Sequence, residues 1–166
     1  MIKNFLFWQP TNFNDDGILI HWFLFFFSHW FVWVIIFLLT VWLRVKKKNK
    51  ELLFFWLLLI ISQIVETVIK YFSLWPRPFY ISGASPPDWI GNYSLGSFPS
   101  GHAIRTILIL YFLWKEKTDF FWIALPGLAV MNLARILFGL HYPIDIIGGF
   151  LIGLVIIAIF SKLKKC

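Results

Sequence analysis

Apolar side chains run through this sequence in long blocks, and the breaks between blocks are short and either basic or rich in Pro and Gly. Crossing a hydrocarbon core of about 30 Å takes about 20 helical residues. Five blocks approach that length: one within Ile18 to Leu43, a second within Glu51 to Tyr71, a third within Pro99 to Trp114, a fourth within Phe120 to Leu140 and a fifth within Pro143 to Phe160. The second and fourth match the core thickness at a rise of about 1.5 Å per residue. The first is longer than one span needs. Its front half, with His21, Ser28 and His29 among aromatics, reads as tilted or interfacial, and residues 1–16 read as an interfacial lead-in. The pattern predicts an all-α polytopic membrane bundle of about five to six transmembrane helices.

Composition supports that reading: 60% of residues are apolar, 21% aromatic and 14% charged, where a soluble domain carries about a quarter charged residues. Spans on this scale leave little chain for a second unit, so residues 1–166 read as a single domain. The formal charge of +7 would fit a nucleic-acid binder, but its placement argues otherwise. Arg44 with Lys46, Lys47, Lys48 and Lys50 form one cluster, Lys115 with Lys117 a second, and Lys162, Lys164 and Lys165 a third. Each abuts the end of an apolar block, as cytoplasmic anchors do under the positive-inside rule. No nucleic-acid partner is expected. Cys166 is the only cysteine, which precludes an intrachain disulfide.

With the basic clusters on one side, the segment 72–98 and the turn 139–143 fall on the other. Lys70, Arg77, His102, Arg135, His141 and Asp145 then fall at or near those outer span ends. The segment 72–98 is rich in Pro, Gly, Ser and aromatics and admits two readings, a lid lying along the membrane surface or a loop merely anchored by its aromatics.

Taken singly, these polar residues have ordinary explanations. Glu66 and Lys70 are four apart, the spacing of an intrahelical ion pair. Arg105 and Arg135 suit packing or loop satisfaction, and His21 and His29 suit packed or interfacial positions. Taken together, three cations, two histidines, a carboxylate and a Ser-Gly helix start describe an anion site. Ser100 and Gly101 immediately precede a helix, whose free amides and dipole favour a phosphate, and Gly101 lets an oxyanion approach the backbone. Arg77 and Arg135 offer planar forks and Lys70 a point charge. His141 and Asp145 are one helical turn apart, with Pro143 placed to begin the fifth helix. The aspartate can accept the proton of one ring nitrogen and leave the other as a lone-pair nucleophile. His102 is then free to protonate a leaving oxygen. Zinc is the poorer reading, because two histidines and one acid stand beside three cations that repel a metal.

The segments KYFSLWPRP (70–78), PSGH (99–102) and RILFGLHYPID (135–145) together resemble the type 2 phosphatidic acid phosphatase superfamily, which includes bacterial membrane lipid phosphatases and vanadium haloperoxidases. The shared pattern is a Lys with Arg-Pro seven residues later, then Pro-Ser-Gly-His, then Arg, five residues, His, three residues and Asp. The block departs from the family at Ala134, where a Ser is usual, and the family's membrane members usually have six spans. The first 50 residues carry none of it.

The resemblance implies His141 as the nucleophile of a phosphohistidine, Asp145 as its orienter and His102 as the general acid. It implies Lys70, Arg77, Ser100, Gly101 and Arg135 as holders of the phosphoryl oxygens, with no metal and no cofactor. The expected activity is hydrolysis of a lipid phosphate or diphosphate at the periplasmic or exterior face of the cell (inner) membrane. Lipid A 1-phosphate and undecaprenyl diphosphate lead because short connections leave no large head-group domain, and phosphatidylglycerol phosphate is a further option. A lipid phosphotransferase, or a non-catalytic protein that binds or moves anionic lipids, remains the alternative. Transport needs only the cations, whereas catalysis needs both histidines and Asp145.

Overall fold

The computed structural model of the chain describes residues 18–73, 75–78 and 96–163, with side chains from Phe23 onward. The lead-in 1–16, most of the segment read as a lid, the His21 side chain and Cys166 lie outside the described residues. Six helices follow one another among the described residues: α1 Ile18–His29, α2 Phe31–Val45, α3 Asn49–Ser73, α4 Gly101–Lys115, α5 Phe120–Leu137 and α6 Pro143–Leu163. No strand occurs among the described residues.

Three of these helices, α3, α5 and α6, are long and apolar enough to cross a membrane. The long first block divides at Trp30 into α1 and α2, bent by 54°, and this pair counts as a fourth span if taken together. The third expected span becomes α4, which has 15 residues and so reaches only about 22 Å. Its position explains the shortness, since α4 packs against α2, α3, α5 and α6 and is the bundle's central post. Ile104, Leu108, Ile109 and Phe112 of α4 are fully buried, and Phe55 of α3 meets Phe112 edge-on at 5.0 Å. Large apolar side chains cover the outside, among them Leu53, Ile60 and Ile64 on α3 and Leu151, Leu154 and Val155 on α6. An exterior of that kind is stable against lipid rather than water.

The turns sort the two ends of the bundle. Lys47 and Lys117 adopt left-handed φ values of 56° and 51° just past α2 and α4. There Lys48 pairs with Glu116, and Lys115 Nζ lies 2.6 Å from Glu51 Oε2. The first two basic clusters therefore share one end. At the other end α5 stops at Gly139, whose φ of 64° lets the Gly139 and Leu140 amides turn back onto the carbonyls of Ile136 and Arg135. Pro143 then opens α6 as its first residue, where a missing N–H costs nothing.

The closest helix contact is α4 against α6, and glycine makes it possible. A Cβ on Gly149 would stand 2.6 Å from the Ser100 carbonyl and 2.7 Å from Ala103 Cβ, and one on Gly153 would meet the Ile104 carbonyl at 3.1 Å. This is the small-xxx-small packing that membrane helices use to bring backbones together. The Ser100 amide also donates to the Asp145 carbonyl at 3.1 Å, tying the start of α4 to the first turn of α6. Replacing Gly149 with Ala is expected to destabilise the protein by about 1–3 kcal/mol, because the backbone carbonyl it meets cannot rotate away. Thermal unfolding in detergent, followed by Trp fluorescence, should show the lower Tm.

Candidate active site

A cavity of about 390 Å³ opens where α3 and α5 finish and α4 and α6 begin. Six of the eight residues singled out in the sequence line it: Lys70, Arg77, Gly101, His102, Arg135 and His141. Ser100 and Asp145 are completely buried behind its wall. His29, Trp33, Gln63, Glu66, Thr67, Arg105 and Leu140 complete the lining.

Each helix end delivers its residue for a local reason. Ser100 caps α4, its hydroxyl accepting from the Ala103 amide at 3.5 Å, so His102 falls in the first turn. Beneath it, Thr106 Oγ1 donates to the His102 carbonyl at 2.9 Å and accepts from Asn132 Nδ2 at 2.9 Å, which pins α5 to α4 at this level. The Gly139 turn brings the His141 amide back to the Arg135 carbonyl at 3.3 Å, so the five-residue spacing between them is the path of a helix end. Asp145 sits three residues into α6, and its Oδ2 accepts from the Tyr142 amide at 2.8 Å, a carboxylate cap on the helix start. The same Oδ2 is 3.5 Å from His141 Nδ1. The Ser97 hydroxyl donates to the Pro76 carbonyl at 3.5 Å and its backbone amide to the Trp75 carbonyl at 2.7 Å, joining the approach to α4 to the segment that carries Arg77.

The cations are held rather than loose. Arg77 Nη1 donates to the Leu140 carbonyl at 2.9 Å and Arg135 Nη1 to the Ser28 carbonyl at 3.0 Å. Lys70 Nζ lies 2.5 Å from Glu66 Oε1, which is the four-residue pair expected from the sequence. His141, between α5 and α6, is held well below the ordinary imidazole value, first by burial and then by the positive charges of Arg135, Arg77 and Lys70. It is therefore neutral at physiological pH, with a lone pair available on one nitrogen. His102 Nε2 is buried with no hydrogen-bond partner among the described residues. Among the described residues, no three His, Cys, Asp or Glu side chains group as a metal site.

Three features depart from the expectations. His29, read as a packing residue, stands on the cavity wall, stacked on Phe25 at 4.7 Å. The space beyond Gly101 is occupied by the Glu66 carboxylate, with Oε2 1.9 Å from where a Cβ would be, so this glycine admits a side chain from α3. Arg105, assigned no site role, joins the cavity by pairing with Glu66 Oε2 at 3.0 Å. A signal for the extra lining did exist: Gln63, Glu66, Thr67 and Lys70 follow an i, i+3, i+4, i+7 spacing in an otherwise apolar helix.

Comparison with known proteins places these observations in a wider set. The profile of the PAP2 superfamily matches residues 51–165. Sphingosine-1-phosphate phosphatase 1 of Rattus norvegicus is 31% identical over 143 residues, covering 79% of this chain and 31% of the rat protein. Undecaprenyl-diphosphatase of Sulfolobus acidocaldarius is 27% identical over 131 residues, covering 74% of this chain and 59% of the archaeal protein. The chain thus spans less than two thirds of these relatives. The crystal structure of a transmembrane PAP2-type phosphatidylglycerolphosphate phosphatase from Bacillus subtilis superposes with a TM-score of 0.68 at 21% identity, covering 91% of this chain and 79% of that one, and so shares the fold.

The lining makes a prediction about bare anions. Orthophosphate should bind the purified protein in detergent, and Arg135→Ala should weaken that binding about 10- to 100-fold, the loss of a charge-assisted hydrogen bond worth about 1.5–3 kcal/mol. Isothermal titration at low and high salt would measure it, with the wild-type affinity falling as salt rises.

Proposed function

From the premise that this membrane chain belongs to the PAP2 superfamily, we propose that it is a lipid phosphatase working through a phosphohistidine. The observation that supports this most directly is that His102 and His141, 39 positions apart in sequence, line one cavity with Lys70, Arg77 and Arg135.

Asp145 faces His141 Nδ1 and favours the tautomer that leaves Nε2 with the lone pair. His141 Nε2 attacks the phosphorus, and the bond between phosphorus and the lipid oxygen breaks. His102 gives its proton to that oxygen, so the lipid leaves as an alcohol or, from a diphosphate, as the lipid monophosphate. Water then attacks the phosphohistidine, giving a proton to His102 as the P–N bond breaks, and inorganic phosphate departs. Lys70, Arg77, Arg135 and the Gly101 amide stabilise the charge on the equatorial oxygens, while Ser100, its amide held by the Asp145 carbonyl, fixes the helix start behind them. This chemistry needs no metal ion or cofactor.

The substrate is a phosphate or diphosphate ester of a membrane lipid. Its tail lies in the bilayer while the head group enters the cavity at the end away from the two paired basic turns. Under the positive-inside rule that end faces the periplasm or cell exterior, and the membrane is the cell (inner) membrane.

Inorganic phosphate should be released from a lipid phosphate in detergent with EDTA present. His141→Ala should lower release about a thousandfold or more while lipid binding persists, and His102→Ala about 10²- to 10⁴-fold. Release that survives His141→Ala removes the nucleophile. A second prediction concerns pH. His141 is lowered from its ordinary value, so its neutral form persists into acid, and the acid limb of kcat/KM should lie well below pH 6.5. A pH–rate profile on a lipid phosphate checks this.

A further inference from the structure

Phosphoryl transfer at His141 uses one end of the cavity, yet the wall continues polar beyond it. Gln63, Glu66, Thr67 and Lys70 present one face of α3 to the cavity. At a rise of about 1.5 Å per residue, Gln63 lies about 10 Å along α3 from Lys70, towards the bundle's middle. Arg105 answers them from α4, three residues beyond His102. Its guanidinium donates to Gln63 Oε1 and, at 3.0 Å, to Glu66 Oε2, and sits 5.3 Å from the Trp33 ring centroid.

Anchoring of α3 to α4 does not require this network, since Phe55, Leu58 and Phe112 already pack there fully buried. A charge within the bilayer is costly to bury, which makes such groups candidates for ligand contact. Gln63 and Thr67 moreover remain exposed while lining the cavity, so they are not interior glue. Their neighbours Ile64 and Val68 are exposed apolar side chains, which puts this wall at the boundary between cavity and lipid.

The charge of the wall limits what it can receive. Glu66 lies between Arg105 and Lys70 and balances one of their two positive charges. With Lys70 counted at the phosphate end, the lining beyond it presents an amide, a hydroxyl and the Glu66–Arg105 pair, which carries no net charge. A plain hydrocarbon placed there would leave these groups facing apolar carbon, at the cost of their desolvation.

Resting on the phosphatase reading above, we propose that Gln63, Glu66, Thr67 and Arg105 form a subsite for hydrogen-bonding groups on the carbons next to the phosphate ester. The preferred substrate is then a phosphate monoester built on glycerol, an amino alcohol or a sugar, in preference to a plain alkyl phosphate or a prenyl diphosphate. The hydroxyl, amide or amino group beside the ester would exchange hydrogen bonds with Thr67 and Gln63 while the acyl or alkyl tail passes outward into lipid.

Three probes separate the cases: 1-palmitoylglycerol 3-phosphate, hexadecyl phosphate and farnesyl diphosphate, each presented in detergent micelles to the purified full chain with phosphate release as readout. The glycerol lipid should exceed the other two in kcat/KM by about tenfold or more, the scale of a site that loses hydrogen-bond partners. Gln63→Leu and Thr67→Val, both at exposed positions that core packing does not depend on, should each shrink that ratio, chiefly through a higher KM for the glycerol lipid. Equal turnover of the three lipids, a preference for farnesyl diphosphate, or a ratio unmoved in both variants overturns the subsite and leaves the phosphatase standing. Release from none of the three by the wild type overturns the phosphatase reading and the subsite with it.

Discussion

The close seam between α4 and α6 is the constraint on which the rest of the site depends. Gly149 and Gly153 let the two backbones approach, and the Ser100 amide reaches the Asp145 carbonyl across the gap. That contact sets two helix starts side by side. One start carries His102 and the other follows His141 and contains Asp145. In lipid the hydrophobic effect gives helices no reason to associate, so such close backbone packing and the few interhelical hydrogen bonds supply the specificity. A shift of about an ångström along this seam would move one histidine relative to the other by the same amount, which is enough to spoil a transfer geometry.

Polar groups inside so apolar a bundle are sustained by mutual satisfaction. Glu66 bridges two cations, the carbonyls of Ser28 and Leu140 hold Arg135 and Arg77, and Asn132 with Thr106 fastens α5 under His102. Four cations, Lys70, Arg77, Arg105 and Arg135, stand against the carboxylates of Glu66 and Asp145 around the cavity. The resulting positive excess suits a phosphate dianion and is confined to the end where the helix starts add their own partial charge. Further along α3 the balance closes, and the cavity changes from an anion site to a neutral polar one.

On the proposed reading, that gradient follows the path of a lipid substrate. The exterior of α3 and α6 is mostly apolar, while one face of α3 presents polar residues to the cavity. A molecule lying in the bilayer therefore meets first a greasy surface, then hydroxyl and amide groups, and last the fixed cations and the two histidines. For the substrate proposed above, each zone would meet one part of the molecule, and none of them would require the tail to leave the membrane.

Much of this was legible in one dimension. Apolar blocks and flanking lysines specify a helical membrane protein, because the bilayer permits few other solutions for an apolar chain of this kind. The three motifs name Lys70, Arg77, His102, Arg135, His141 and Asp145, since each chemistry demands a residue type and each helix end a spacing. The break at Trp30 and the short central α4 were not legible, because block length cannot tell a lipid-facing span from one buried by neighbours. Nor were the places of Glu66 against Gly101, of Arg105 across from Gln63, or of His29 on the wall. These are contacts between elements far apart in sequence, and the crossing of α3, α4 and α5 decides them. The sequence by itself named the candidate groups for binding and transferring a phosphate, through local rules of helix ends and charge. Only the packing of the helices decided which of them share a cavity and which stand behind its wall, because a distance between side chains on separate helices exists only once those helices have met.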